Sequence, residues 1–249
     1  MEKFLPDALK EAYRTNCVPC ADGSQLKFDS NISATEAVLL YNTVRALAPE
    51  VSVEVGLAKG ASSVTILQAL KDAGRPAVHH VLDPFQDTEW KGAGLEMIRR
   101  AGLLDYLKFH ASFAEETIPS LPALDFAFID ASHLFDISLL EFVLCDKKLR
   151  VGGIIGFHDL WMGAQQKLLR FILTNRHYEA ILPAPVAEPG FRGASAVFAR
   201  LLSRLPFAGH LLNQKLLRPM TSSHYGNLFL IRKTAHDDRP TNGRHFQDF

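Results

Sequence analysis

Three cysteines in 249 residues are too few for a disulfide-stapled secreted scaffold and point to a reducing compartment. Cys17-Val-Pro-Cys20 has only Cys145 as a further thiol, so no second pair completes a zinc site. A redox pair would open a helix just after a strand, whereas this neighbourhood reads as loop. No run approaches the ~18 apolar residues of a spanning helix. Met1–Tyr13 mixes charged and apolar residues and lacks the apolar core of a signal peptide. Net charge is absent too: 27 basic residues stand against 27 acidic ones. No global field then recruits nucleic acid or an anionic membrane surface, and a small-molecule partner is the better expectation. The chain has no internal repeat, no low-complexity tract and no strict G-x-G-x-x-G fingerprint. These absences together predict a soluble cytoplasmic protein with no nucleic-acid partner and no membrane span.

What is present begins with 47% hydrophobic residues, enough for one α/β domain over 1–249. Its organising stretch is Val51–Val64. Val51, Val53 and Val55 form a short β-branched run suited to a buried strand. Gly56 and Gly60 then allow a sharp turn and close backbone approach. Ser62 and Ser63 open a helical pattern of Val64, Ile66, Leu67 and Leu70. Strand, glycine turn and helix together present helix N-terminal amides to a nucleotide-like ligand. Glu54 is a carboxylate in an otherwise apolar strand, so it needs a hydrogen-bonding job near the turn.

Ahead of this unit lies an N-terminal prefix, residues 1–32, with a short helix over Phe4–Arg14 followed by irregular chain. Ser33-Ala-Thr-Glu36 matches a capping box, and a helix runs on to Leu47 before Pro49. After the first strand and helix come a second strand, Ala77–Leu82, and a third, Leu107–Ala111. His79 and His80 lie in the second strand on alternate faces and read as structural or exposed. A fourth strand covers Leu124–Ile129, a helix Ile137–Leu149, and a fifth strand Ile154–Phe157. Helix Leu160–Asn175 and strands Tyr178–Leu182 and Gly226–Lys233 complete the pattern. Residues 183–225 hold two leucine-rich stretches with a basic face, a helical insertion serving as a lid or an association element. Such an appendage allows a homodimer; packing against the sheet explains the same leucines equally well.

Four strands carry polar residues at or near the carboxyl edge: Glu54, Asp83, Asp130 with His133, and His158 with Asp159. Parallel strands bring these ends into one crevice. A carboxylate placed like Asp83 is where an open α/β sheet holds a ribose. Trp90 stands in the loop beside the expected ligand, as a gate or as a plain surface lid.

The order Glu54-x-Gly56-x-Ala58-x-Gly60, Asp83, Phe128-Ile-Asp130-Ala-Ser-His133, Gly152-Gly153 and Phe157-His158-Asp159 resembles the small-molecule O-methyltransferase branch of the class I S-adenosylmethionine-dependent methyltransferases. Ala58 replaces the middle glycine of that family's first motif. The resemblance covers roughly residues 33–182 and 226–233. It implies a doubly wound, Rossmann-like sheet of seven strands, five of them parallel and the last two forming an antiparallel β-ribbon. It also implies S-adenosylmethionine on the glycine turn. Glu54, Gly56, Gly60, Ser62, Asp83, Ser112, Phe113 and Asp130 are then the cofactor-lining candidates, with Asp83 on the ribose and Ser112 and Phe113 by the adenine.

Two routes to methyl transfer fit the remaining residues. In one, Asp130, His158 and Asp159 hold a divalent ion that lowers the pKa of an acceptor hydroxyl. A histidine in that set suits Mn, Fe or Zn better than Mg. In the other, His133 or His158 is the general base and Asp159 orients a ring. Two readings of different class stand beside these: an NAD(P)-dependent oxidoreductase with a degenerate glycine fingerprint, and a non-catalytic nucleotide-binding protein. The sequence does not identify the methyl acceptor.

Overall fold

A computed structural model describes residues 3–29, 31–181 and 227–239. The insertion at 183–225 and most of the tail after 233 lie outside the described residues. In chain order the elements are α1 (Asp7–Thr15), β1 (Cys17–Pro19), β2 (Gln25–Lys27), α2 (Ala34–Leu47), β3 (Val51–Val55), α3 (Ala61–Ala73), β4 (Val78–Leu82) and α4 (Ala93–Ala101). They continue with β5 (Leu107–His110), α5 (Ala114–Thr117), β6 (Leu124–Ile129), α6 (Phe135–Lys148), β7 (Leu149–Phe157), α7 (Gly163–Asn175), β8 (Tyr178–Ala180) and β9 (Phe229–Lys233).

Seven strands join in the order β5-β4-β3-β6-β7-β9-β8. The five from β3 to β7 are parallel, and β9 runs antiparallel to both neighbours, β7 and β8. The expected parallel sheet with an antiparallel ribbon is therefore what forms. Side-chain alternation along the central strands feeds two layers. Phe126, Phe128, Ile154 and Leu230 pack on one side with residues of α1 to α4. Ala127, Ile129, Ile155 and Phe157 pack on the other with Phe142, Leu168 and Ile172 of α6 and α7. Strands buried on both faces read as continuous apolar runs, which is how β6 and the end of β7 read.

Local differences have local causes. The first helix begins at Asp7 rather than Phe4 because Pro6 restricts the residue before it to extended backbone. The chain after it is a hairpin: Cys17, Val18 and Pro19 pair with Lys27, Leu26 and Gln25. Three residues per strand are too few to show a period in sequence. Gly152 and Gly153, which lie between the expected helix end at Leu149 and the expected strand start at Ile154, are inside β7, which already starts at Leu149. The Ser33–Glu36 capping box is present, with Glu36 N donating to Ser33 Oγ at 3.3 Å and Ser33 N to Glu36 Oε2 at 2.7 Å. Among the described residues, no helix is long and apolar enough to cross a membrane.

Candidate active site at the carboxyl edge of the sheet

The glycine turn is held from beneath by Glu54, which is fully buried. Ser62 and Ser63 each donate a hydroxyl hydrogen bond to one of its carboxylate oxygens. His79 Nε2 lies 3.0 Å from Glu54 Oε2, and its Nδ1 lies 2.9 Å from Ser52 Oγ. A buried carboxylate thus finds three partners, two of them at the start of α3, and the turn is pinned to strand and helix together. His79 is structural and buried rather than exposed. His80, on the other face as alternation requires, has Nδ1 2.9 Å from His110 Nε2 and is also buried.

Gly56 has φ +96°, and a Cβ there would lie 2.2 Å from the carbonyl oxygen of Asp130. The turn therefore rests directly on the end of β6. Ala58 sits at φ +44°, in the left-handed region that costs a side-chain-bearing residue about 1–2 kcal/mol. Ala58→Gly relieves that strain while loosening the unfolded chain by a smaller amount. Urea unfolding should show a gain of up to about 1 kcal/mol; a loss would mean that the methyl group makes a contact worth more than the strain.

Asp83 closes the turn from β4. Its Oδ2 accepts from Leu57 N at 3.2 Å, Ala58 N at 2.9 Å and Gln86 Nε2 at 2.9 Å, and its Oδ1 accepts from Phe85 N at 2.8 Å. Only Oδ1 retains acceptor capacity for a further hydroxyl. Lys59 in the turn pairs with Asp29 of the prefix and stands 5.4 Å from the centre of the Trp90 ring. Ser112 Oγ and Thr117 Oγ1 are 2.5 Å apart, and Phe113 is half exposed with its ring against Phe85 at 5.9 Å.

The other half of the crevice is an ionic cluster. Ligand atoms of Asp130, His133 and Asp159 all lie within 4.8 Å of one another. His133 Nε2 is 3.3 Å from Asp130 Oδ1 and 2.9 Å from Asp159 Oδ2. His158, expected among the metal ligands, stands behind the same two carboxylates with Nδ1 3.5 Å from Asp130 Oδ2 and 3.5 Å from Asp159 Oδ1. Each carboxylate thus faces two imidazoles, and His133 rather than His158 closes the tightest set of three. Trp161 Nε1 donates to Asp159 Oδ1 at 2.9 Å from a largely exposed ring. His133 and Asp159 both have φ +57°, the left-handed backbone that non-glycine residues adopt mainly where surrounding structure enforces it.

Electrostatics follow from this geometry. Hydrogen bonding to Asp130 and Asp159 raises the His133 imidazole to about 9. Burial would lower His158, but Asp130 and Glu36 outweigh it and carry the ring up to about 10. Burial would raise Asp130; the two histidines bring it down to about 2. The Asp159 carboxyl is held low, mainly by His133. At neutral pH both rings are imidazolium, so neither is ready to accept a proton. Nearby, burial lifts Glu141 to about 7.

Sequence reasoning missed Glu36, Gln86 and Trp161. Gln86 and Trp161 follow strand-end aspartates by two or three residues, and that proximity was the available signal. Glu36 carried a sufficient local explanation in its capping box.

Residues 53–160 match a family model described as a methyltransferase domain. Tapetum-specific methyltransferase 1 of Arabidopsis thaliana is 29% identical over 141 residues, 54% of this chain and 58% of that protein's length. The chain thus spans little more than half of that curated relative. An O-methyltransferase from Bacillus cereus, solved in complex with SAH, superposes with a TM-score of 0.56 at 16% identity, covering 73% of this chain and 83% of the other. The O-methyltransferase TomG from Streptomyces achromogenes, involved in tomaymycin synthesis and solved with SAM, gives 0.54 at 15% identity over 94% and 91%. At these identities the solved structures speak for the fold, and none of these matches supports the nicotinamide alternative. Strand order, glycine turn and domain match agree: the chain carries a methyltransferase-domain match over residues 53–160 on the fold that these O-methyltransferases share.

Proposed function

We propose that this chain transfers the methyl group of S-adenosylmethionine to a hydroxyl oxygen of a small molecule, with Asp130, His133 and Asp159 holding a divalent cation at the acceptor side. The observation that carries the proposal is the convergence of those three ligand atoms within 4.8 Å, directly beyond the turn whose Gly56 lies on the Asp130 carbonyl. Two carboxylates and one imidazole suit Mn, Fe or Zn, and the site fits such an ion by the chemistry of its donors. The cation would supply a lowered acceptor pKa when bound.

The chain's own residues do the rest. Gly56 and Gly60 keep the turn bare for the cofactor, braced by Glu54 through Ser62 and by Asp83 through the turn amides. The free capacity of Asp83 Oδ1 suits a ribose hydroxyl, and the exposed Phe113 ring with Ser112 suits the adenine end. The exposed Trp161 indole, tethered to Asp159, offers the acceptor a flat apolar wall. Transfer is an in-line displacement: the acceptor hydroxyl gives its proton to solvent water, its oxygen bonds to the methyl carbon, and the carbon–sulfur bond breaks toward sulfur to leave the neutral thioether. Alignment is the protein's main contribution. Proton removal by His133 or His158 without a metal needs an uncharged ring, and the carboxylates hold both rings charged at neutral pH.

An ion binding at this set must displace the His133 proton. Because that pKa is raised to about 9, the ring is protonated below it, and Mn2+ affinity should weaken as pH falls. One displaced proton makes the change about tenfold per pH unit below pH 9. Electron paramagnetic resonance of free Mn2+ at several pH values between 6.5 and 9 measures this. A pH-independent affinity would remove His133 from the set.

A further inference from the structure

Glu36 lies outside the span of the methyltransferase-domain match, in the helix that precedes the first central strand. A capping box needs one carboxylate or amide oxygen, and glutamine serves as well as glutamate. Here both oxygens are engaged: Oε2 accepts from Ser33 N at 2.7 Å, and Oε1 accepts from Asn227 N at the entry to β9. The side chain is almost wholly buried, and a buried carboxylate needs polar partners. Its third partner is His158, whose Nε2 lies 3.5 Å from Glu36 Oε2 while its Nδ1 faces Asp130 and Asp159. His158 Nε2 is itself buried and has no aligned hydrogen-bond partner among the described residues, so the Glu36 carboxylate at 3.5 Å is what faces it.

We infer that Glu36 is a positioning residue of the acceptor site: it holds the His158 ring against Asp130 and Asp159, and so makes the helix before the domain part of the catalytic edge. The carboxylate links three separate pieces of chain, the start of α2, the end of β7 and the residue that leads into β9. A line runs from Glu36 through His158 to the two carboxylates that, with His133, form the proposed cation site. An outer carboxylate of this kind typically changes metal affinity by about 10–100-fold when removed. The inference rests on the proposed function for its catalytic meaning, though not for the contact itself.

The test compares full-length wild type with E36Q and S33A, by histidine-edited 15N NMR at one fixed pH, Mn2+ titration and S-adenosylhomocysteine titration. H158N assigns the ring signals. S33A removes the capping hydroxyl and leaves the Glu36 carboxylate in place. It should lower the melting temperature while His158 signals and Mn2+ affinity stay at wild type. E36Q should shift and broaden the His158 signals and weaken Mn2+ about tenfold, with S-adenosylhomocysteine affinity unchanged. His158 signals unmoved in E36Q would overturn the inference, as would S33A reproducing the E36Q changes. A wild-type chain that binds neither probe would instead defeat the methyltransferase reading, and the NMR comparison would still decide the role of Glu36.

Discussion

Gly56→Ala is expected to destabilise the protein by about 2–5 kcal/mol and to abolish cofactor-site binding. Two costs combine at this position. Left-handed backbone at φ +96° penalises any residue with a Cβ, by about 1–2 kcal/mol. The added carbon would lie 2.2 Å from the Asp130 carbonyl oxygen, backbone against backbone, so no side-chain rotation relieves it. Forced overpacking of this sort adds about 1–3 kcal/mol. The turn must lift from β6, and because its contact is Asp130, the same movement disturbs the ionic cluster. Urea unfolding and S-adenosylhomocysteine calorimetry measure the two effects. A variant that unfolds within 1 kcal/mol of wild type, by the usual scatter of surface substitutions, would show that the turn is not seated as described.

Asp159→Asn should be the most damaging change to the chemistry. Asparagine keeps the shape and can still accept from the Trp161 indole, but it removes a charge shared by His133 and His158. Mn2+ binding is expected to weaken by at least about 100-fold, beyond what the loss of an outer partner produces. Turnover, with whichever hydroxylated acceptor a panel of phenols and sugars identifies, should fall by about 10²–10⁴-fold, the scale of assistance to proton removal. S-adenosylhomocysteine affinity should not change, since the hydrogen-bond and ion-pair partners of Asp159 among the described residues are His133, His158 and Trp161 rather than the glycine turn. Equal losses in cofactor affinity and turnover would mean that Asp159 supports the cofactor instead.

The sheet was legible because its strands are buried on both faces and so read as apolar runs ending in Asp83, Asp130 and His158-Asp159. The glycine turn was legible through Gly56 and Gly60, and Glu54 through its isolation among valines. Pairings remote in sequence were not. Nothing local says that His79 meets Glu54 or that His133, rather than His158, makes the closest set with Asp130 and Asp159; that depends on the left-handed turns at His133 and Asp159. The hairpin of Cys17–Lys27 escaped because each strand is three residues long. Glu36 escaped for the opposite reason: its local pattern already accounted for it, and its second role requires the end of β7 to arrive beside α2.

The central claim is that the glycine turn binds S-adenosylmethionine next to a cation site. The direct measurement is isothermal titration of the purified chain with S-adenosylhomocysteine, then NADH, each with and without Mn2+. Binding of S-adenosylhomocysteine with a Kd in the micromolar range, no heat with NADH, and a separate saturable heat for Mn2+ that is lost in D159N are the expected results. Absence of S-adenosylhomocysteine binding under conditions where the protein is folded would contradict the account at its base, and the turn would then be a structural βα connection.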